Sequence, residues 1–235
     1  MSAPKQGGLF EDLIEVLFAP SKVFDRSRSK TAFMYALVTA VIVAVILVAT
    51  KNLLDPWFVA QGDLAIAQAA KKGTPMPDQA ISAMRAFVAW GFIGTLTLAT
   101  LIGPYINAVF LLVGTKVAGA KLSYSQAALI SVLAGVPRML AVPLMSAQAV
   151  ILDGEKARGI SDLSLGVARF FDPATMSPAV MAMLGNLDIT RLWQIALIAI
   201  GVSVIGRVSK SAGWIAAFIV FALNFIAQTL PAAFA

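Results

Sequence analysis

The charged residues of this chain stand far apart, and the gaps between them have the length of membrane-spanning helices. A helix needs about 20 mainly apolar residues to cross a bilayer. Five gaps approach or exceed that length, and only one of them contains a charge, that of Arg138. The sequence therefore predicts an all-α, polytopic integral membrane bundle with five transmembrane helices. We place the spans at about residues 31–50, 86–115, 123–152, 189–207 and 211–231.

Two of these spans have unusual lengths. The second has 30 uncharged residues, which reach about 45 Å as a helix, too little for two crossings of a roughly 30 Å core. We therefore expect one long helix that could kink at Pro104. The uncharged part of the fourth, residues 192–206, is short, and we expect Arg191 and Arg207 to snorkel outward from its ends.

The composition removes several classes of function. Only 13% of the residues are charged, and the chain has no cysteine and no histidine. Thiolate and imidazole supply most zinc, haem, copper and iron–sulfur ligation, so we expect no metal and no cofactor. No catalytic triad with histidine is available, and no phosphate-binding glycine loop occurs. We expect no catalytic residues, no enzyme and, without a basic groove carrying aromatic residues, no nucleic-acid partner.

The distribution of basic residues predicts the orientation of the chain. Residues 1–30 form a short segment before the transmembrane domain, and lysine and arginine collect at its end, immediately before the first span. Because cytoplasmic segments are enriched in these residues, we expect the N-terminus inside and the C-terminus outside. Two outside loops follow, at about residues 51–85 and 153–187, and neither is long enough for a core of its own.

Residues 9–18 predict an amphipathic helix that Pro20 ends at Ala19 or earlier. The helix could lie on the membrane, bind a partner, or pack on the cytoplasmic ends of its own bundle. We favour packing on the bundle, because an acidic polar face suits anionic lipid poorly. Four residues form the expected apolar face, Leu9, Leu13, Ile14 and Leu17.

Arg138 is a charged residue that the topology leaves unexplained. It lies near the centre of the third span, between Pro137 and Pro143, where a charge costs about 2.5 to 3.5 kcal/mol. It could hold an anionic headgroup or line a substrate path. Alternatively, the helix breaks at Pro137, and Arg138 either donates to the freed carbonyls or lies nearer an interface than the count of residues indicates. We favour this structural alternative.

Three amides join Arg138 as a candidate intramembrane polar site, namely Asn107, Asn224 and Gln228. Asn224 and Gln228 are four residues apart and share one face of the fifth helix. Amides at such depth most often bond between helices for about 0.6 to 2 kcal/mol, so we expect them to be structural. A wet cavity lined by Arg138 and these amides would instead favour transport.

Three stretches of the chain resemble the Yip1 domain family. They are LIEVLFAPSKVF at residues 13–24, the segment at residues 122–137 with its SYSQ start and its proline, and LDITRLWQIALIAIGV at residues 187–202. In that family a helix with a following proline and aromatic precedes five spans, and Asp-hydrophobe-x-x-hydrophobe-Trp opens the fourth. Asp188 and Trp193 match this pattern, whereas Thr190 and Arg191 replace an aromatic often found there. Independently of the family, Asp188 precedes a helical run, which predicts that it caps the fourth helix.

The resemblance implies a polytopic membrane protein with a cytoplasmic N-terminus. Eukaryotic relatives act in vesicle traffic and bind prenylated small GTPases, but the short N-terminal segment here looks bacterial, so we do not carry that role over. We expect a scaffold or adaptor of the bacterial inner membrane that binds membrane lipids and other membrane proteins. Association of identical chains is left open. The alternative is a small transporter, channel or lipid-translocating protein with its site near Arg138.

Overall fold

A computed structural model of the chain describes residues 7–71, 73 and 77–234. This part of the chain contains α-helices, short 3-10 turns and no β-strand, which confirms the predicted all-α class. The helices are α1 (Leu9–Glu15), α2 (Pro20–Arg26), α3 (Ala32–Lys71), α4 (Asp78–Val117), α5 (Tyr124–Ala134), α6 (Val136–Ile151), α7 (Pro178–Gly185), α8 (Ile189–Ile205) and α9 (Lys210–Phe234).

Four segments in the described ranges are long and apolar enough to cross a membrane. They are Ala32–Lys71, Phe87–Val117, Tyr124–Ile151 and Lys210–Pro231. The helix α8 is apolar but has only 17 residues, or about 25 Å of length. A locally thin bilayer accommodates a helix of that length when the helix stands close to the membrane normal.

Helices α3 and α4 form a long hairpin. Each has 40 residues and is therefore about 60 Å long, twice the thickness of a hydrocarbon core. The second span is one helix through Pro104, as predicted. The segment at residues 51–85, predicted to lie outside the membrane, is mostly helical, because α3 continues to Lys71 and α4 begins at Asp78. Packing of the two helices against each other, with an Arg85–Asp63 ion pair at 2.7 Å, supports this extension beyond the membrane.

The third span is interrupted, but two residues earlier than predicted. Helix α5 ends at Ala134 and α6 begins at Val136, so the break lies at Gly135. The Gly135 amide donates to the carbonyls of Ser131 and Val132, both at 3.1 Å. Pro137 falls in the first turn of α6, where a helix does not need its N–H. The break therefore precedes the proline, and it sets the direction in which α6 leaves.

Five helices form a closed ring. In order, α3 packs on α4, α4 on α9, α9 on α8, α8 on α6, and α6 on α3. Helix α5 lies within the ring, against α3, α4 and α8. The 3-10 turns and α7, between α6 and α8, cover one end, which we name the loop end. Helices α1 and α2 cover the opposite end, which we name the N-terminal end.

Two hydrophobic cores stabilise the ring, one near each end. The core at the N-terminal end includes Phe24, Leu133 and Val202, none of which is exposed. The core at the loop end includes Trp57 of α3 and Leu163 of the loop, at 2% and 1% exposure. The α3 extension and the loop thus share apolar packing, and each lies fixed on the other.

The N-terminal segment folds back onto the bundle. Leu13 of α1 and Val16, which directly follows the helix, are buried, and Leu9 and Leu17 pack against the core, which confirms the predicted packing. The placement of Ile14 on this face is wrong, because α1 turns the Ile14 side chain away from the bundle and leaves it exposed. Helix α1 ends at Glu15, before Pro20, as predicted.

A buried carboxylate, that of Asp12, holds this segment in place. It accepts hydrogen bonds from Arg26 Nε at 2.7 Å, from Lys30 Nζ at 2.5 Å and from the Tyr35 hydroxyl of α3. Burial raises the pKa of Asp12, but the hydrogen bonds from Lys30, Tyr35 and Arg26 outweigh it and hold the pKa below its usual value. The carboxylate therefore stays ionised at neutral pH.

Candidate functional site

A cavity of about 690 Å³ lies inside the ring, and α3 to α9 all contribute to its lining. Thr39 and Gln68 of α3 both line it, and they are about 43 Å apart at the rise of an α-helix. The cavity is therefore long and runs along the axis of the bundle. Loop residues between Ile160 and Pro173 line it at the loop end.

The cavity ends in a packed floor toward the N-terminal end. Thr39, Asn107 and Ser131 are its deepest polar lining residues in that direction. Beyond them lies the first core, where Phe24 and Leu133 are fully buried. In this structure the cavity thus reaches the loop end and is closed at the N-terminal end.

Arg138 enters the cavity from the first turn of α6, just after the break at Gly135. Arg138 is exposed, although it lies in the middle of the transmembrane segment Tyr124–Ile151. Within the described ranges its guanidinium makes no hydrogen bond and no ion pair. The predicted donation to freed backbone carbonyls is therefore not observed in this part of the chain. The guanidinium is available to a ligand or to water.

Arg191 lines the same cavity, but protein groups hold it. It is only 6% exposed, and its Nη2 donates to Asn186 Oδ1 at 2.7 Å. Its guanidinium also lies 5.9 Å from the centroid of the Phe221 ring. The prediction that Arg191 snorkels outward is wrong, because Asn186, at the end of α7, binds the guanidinium inside the protein, whereas Ile189 and Leu192 of the same turn are exposed.

Asp188 completes the charged lining of the cavity among the described residues. It caps α8, as the helix-start pattern predicts, and accepts from the Thr190 amide at 2.8 Å and the Thr190 hydroxyl at 2.6 Å. Two guanidiniums and one carboxylate leave the described lining with a net positive charge. The sequence did not predict that Asn186 or Arg191 would line a cavity. The available signal was that Arg191 lies three residues after the capping Asp188, and therefore in the first turn of α8.

The predicted amides have two different roles. Asn224 Nδ2 donates to Asn107 Oδ1 at 2.6 Å and to the Val220 carbonyl at 2.9 Å, so this pair joins α9 to α4. Gln228, one turn further along α9, lines the cavity and is exposed. The structure therefore brings Arg138, Asn107 and Gln228 to one cavity, and Asn224 supports Asn107 from the side.

Sequence reasoning missed the hydroxyl groups of the lining. Ser131 of α5 is only 2% exposed, and its Oγ has no hydrogen-bond partner in the described structure. Ser161 of the loop has an unpartnered buried Oγ as well. Both residues line the cavity and can donate to an acceptor within it. No periodic signal distinguishes a serine of this kind from one that bonds its own helix.

The chemistry of this lining suits binding better than bond cleavage. The charged and hydroxyl groups are accompanied by apolar walls, including Phe92, Leu96, Val142 and Met145. The described residues contain no cluster of three or more side chains that could hold a metal ion. A cationic group, hydroxyl donors and apolar walls together fit a molecule with an anionic group and an apolar body.

Comparison with known proteins identifies the family. No curated protein and no solved structure gives a significant match to the chain. The family model of the Yip1 domain matches residues 14–230, nearly the whole chain. The match includes α2 to α8 and α9 as far as residue 230. The resemblance seen in the sequence motifs is confirmed, and the chain belongs to the Yip1 domain family of membrane proteins.

Proposed function

We propose that this chain is a non-enzymatic membrane protein that binds an anionic amphiphile in its central cavity and translocates it. The unpaired guanidinium of Arg138 carries this proposal. A charge in a transmembrane segment is costly, and such residues usually mark a ligand or ion path. Among the described residues Arg138 makes no hydrogen bond and no ion pair, and the Asp188 carboxylate acts on it only from beyond ion-pair distance, so a bound anion would offset the rest of the cost.

The size and the walls of the cavity narrow the class of ligand. Small-molecule sites commonly enclose about 300–1,000 Å³, and this cavity, at about 690 Å³, is within that range. A carboxylate or phosphate would bind Arg138 and the Ser131 hydroxyl. An apolar body would contact the walls formed by Phe92, Leu96 and Met145.

A scaffold or adaptor role is the second candidate. Helix α4 supports it, because its long apolar surface is largely unburied within the monomer and includes exposed Leu98, Ile102 and Ile106. Such a surface contacts lipid, another membrane protein or a second copy of the chain. The cavity is unnecessary for that role, and we therefore prefer translocation.

We further propose that the protein resides in a bacterial inner membrane with its N-terminal end in the cytoplasm. The basic residues immediately before α3 support this orientation. The loop end, whose residues contribute to the cavity lining, then faces outward. Release on the cytoplasmic side requires a rearrangement of the packed floor.

The test is binding of a fluorescent fatty acid, dansyl-undecanoic acid, to the purified full chain in lipid nanodiscs. Loss of a charge-assisted contact is worth about 1.5 to 3 kcal/mol, so Arg138→Gln should weaken binding roughly ten- to a hundredfold. The matched control is Arg207→Gln, since Arg207 is exposed at the end of α8 and does not line the cavity. It should bind as the natural chain does.

Two further measurements sharpen this test. The uncharged methyl ester of the probe should bind the natural chain and Arg138→Gln equally weakly, because the ester forms no ion pair with either protein. A labelled phosphatidylglycerol tests the phosphate class in the same way. Equal binding of the acid to Arg138→Gln and to Arg207→Gln would contradict the proposal.

A further inference from the structure

Helix α1 has a second apolar face that the bundle leaves uncovered. Phe10 and Ile14 are each 64% exposed, and Phe18 is 79% exposed. They are spaced four residues apart, so they lie in one row along α1 and the turn that continues it. That turn keeps helical hydrogen bonds, from the Phe18 and Ala19 amides to the Glu15 carbonyl at 3.0 and 2.8 Å. We name this row the Phe10–Phe18 stripe.

The opposite face of α1 fixes the direction of the stripe. Leu13 and Val16 are buried in the first core, and Asp12 is bonded within the protein by Arg26 and Lys30. Helix α1 therefore cannot rotate to bury the stripe without breaking a buried ion-pair cluster. The stripe is a constant part of the surface.

The stripe lies at the level where the first membrane span begins. The Asp12 carboxylate accepts from the hydroxyl of Tyr35, in the first turn of α3, which starts at Ala32. In that same turn Phe33 and Met34 are 56% and 48% exposed, as lipid-facing residues are. The stripe and the start of the lipid-facing surface of α3 are thus at one depth.

We infer that the Phe10–Phe18 stripe is inserted into the lipid leaflet at the N-terminal end of the bundle, at the boundary between headgroups and acyl chains. Interfacial helices present aromatic and aliphatic side chains in this way. The inference does not depend on the proposed function of the cavity. It adds a lipid contact to a helix whose other face packs on protein.

The charges of the segment are compatible with lipid as the occupant. Between residues 7 and 31 there are four acids and four bases, so the segment has no net charge. Most of them are paired internally, for example Glu15 with Lys22 at 2.7 Å and with Arg26 at 2.5 Å. In the sequence, the acidic face of α1 argued against contact with anionic lipid. The structure shows that the segment's own bases largely neutralise this face.

The absence of native cysteine allows a direct measurement on the full chain. A spin label is attached to Phe10→Cys, Ile14→Cys or Phe18→Cys, and the protein is reconstituted in phosphatidylethanolamine–phosphatidylglycerol vesicles. Collision rates are measured with oxygen, which concentrates in lipid, and with a water-soluble nickel chelate. Glu11→Cys is the matched control, since Glu11 is on the same helix and its side chain is 60% exposed.

All three stripe positions should favour oxygen over the nickel chelate several-fold, and Glu11→Cys should show the opposite preference. The exposed positions tolerate cysteine, and unchanged circular dichroism and thermal unfolding verify the fold of each variant. Preference for the nickel chelate along the stripe would place it in water and overturn the inference. Exclusion of both reagents would also overturn it, because it would mean that protein, such as a second copy of the chain, covers the stripe.

Discussion

The guanidiniums of Arg138 and Arg191 line one cavity, but within the described structure only that of Arg191 is bonded to a protein side chain. Asn186 accepts from Arg191 at 2.7 Å, and Phe221 lies beside it. The two arginines therefore differ in kind. Arg191 is part of the wall, and Arg138 is the group that a ligand would meet.

This difference predicts opposite effects on stability. Arg191→Leu removes the partner of buried Asn186 and the contact with Phe221, and it should destabilise the protein by about 1 to 3 kcal/mol. Arg138→Leu loses no described protein partner and removes an unpaired charge, so it should leave stability unchanged or raise it. Thermal unfolding in one detergent compares the two variants, and equal losses would contradict the distinction.

Removal of the Asp12 charge should release the N-terminal segment. Asp12→Asn leaves Arg26 and Lys30 without their buried carboxylate, and breaking a buried pair costs about 3 to 5 kcal/mol. Asp25→Asn is the control, because the exposed Asp25–Arg28 pair is worth about 0 to 1 kcal/mol. Limited proteolysis at residues 7–31 should be fast only in Asp12→Asn. Comparable cleavage of both variants would refute a special role for Asp12.

The same carboxylate predicts a pH dependence. Its pKa in the folded protein lies below the ordinary value of 3.8, so its contribution to stability is complete above that value. The contribution is lost as the pH falls through the lowered pKa. Unfolding temperatures measured from neutral pH to about pH 3 should therefore fall more for the natural chain than for Asp12→Asn. If the unfolding temperatures of the two proteins fell equally with pH, groups other than Asp12 would cause the loss of stability in acid.

Two glycines of α4 should respond differently to alanine. A Cβ at Gly114 would lie 2.7 Å from the carbonyl oxygen of Ala216, so Gly114→Ala must push α4 away from α9. We expect this displacement to lower the free energy of unfolding by about 1 to 3 kcal/mol. A Cβ at Gly103 meets nothing within 4 Å, and alanine favours a helix by about 1 kcal/mol over glycine. Gly103→Ala should therefore be neutral or stabilising. Similar unfolding temperatures for the two variants would contradict this packing.

The proposed orientation predicts which lysine is accessible from outside. Lys156→Cys, at the loop end, should react with an impermeant thiol reagent in intact cells. Lys121→Cys, between α4 and α5, should react only after the membrane is opened. Both lysines are exposed in the structure, so accessibility in the cell reports the side of the membrane. Labelling of Lys121→Cys alone would reverse the orientation.

The helices of the bundle were predictable because their causes are local. Long apolar runs need no distant partner to become helices in a bilayer, where every backbone polar group must be satisfied within the segment. The cap at Asp188 and the end of α1 before Pro20 were predictable for the same reason, since capping and proline geometry involve neighbouring residues. The family motifs in residues 13–24 and 187–202 are likewise readable without coordinates.

The cavity and its partners depend on contacts between residues far apart in the chain. The spacing of charges in the sequence marked Arg138 as unusual, but it does not show whether another helix supplies a partner. For the same reason it placed Arg191 wrongly at a surface. The 40-residue lengths of α3 and α4 depend on their mutual packing and on the loop between α6 and α8, which follows much later in the chain. Apolar runs thus suffice for the helices and the membrane, whereas the ring, its cavity and the state of each arginine arise only from long-range packing.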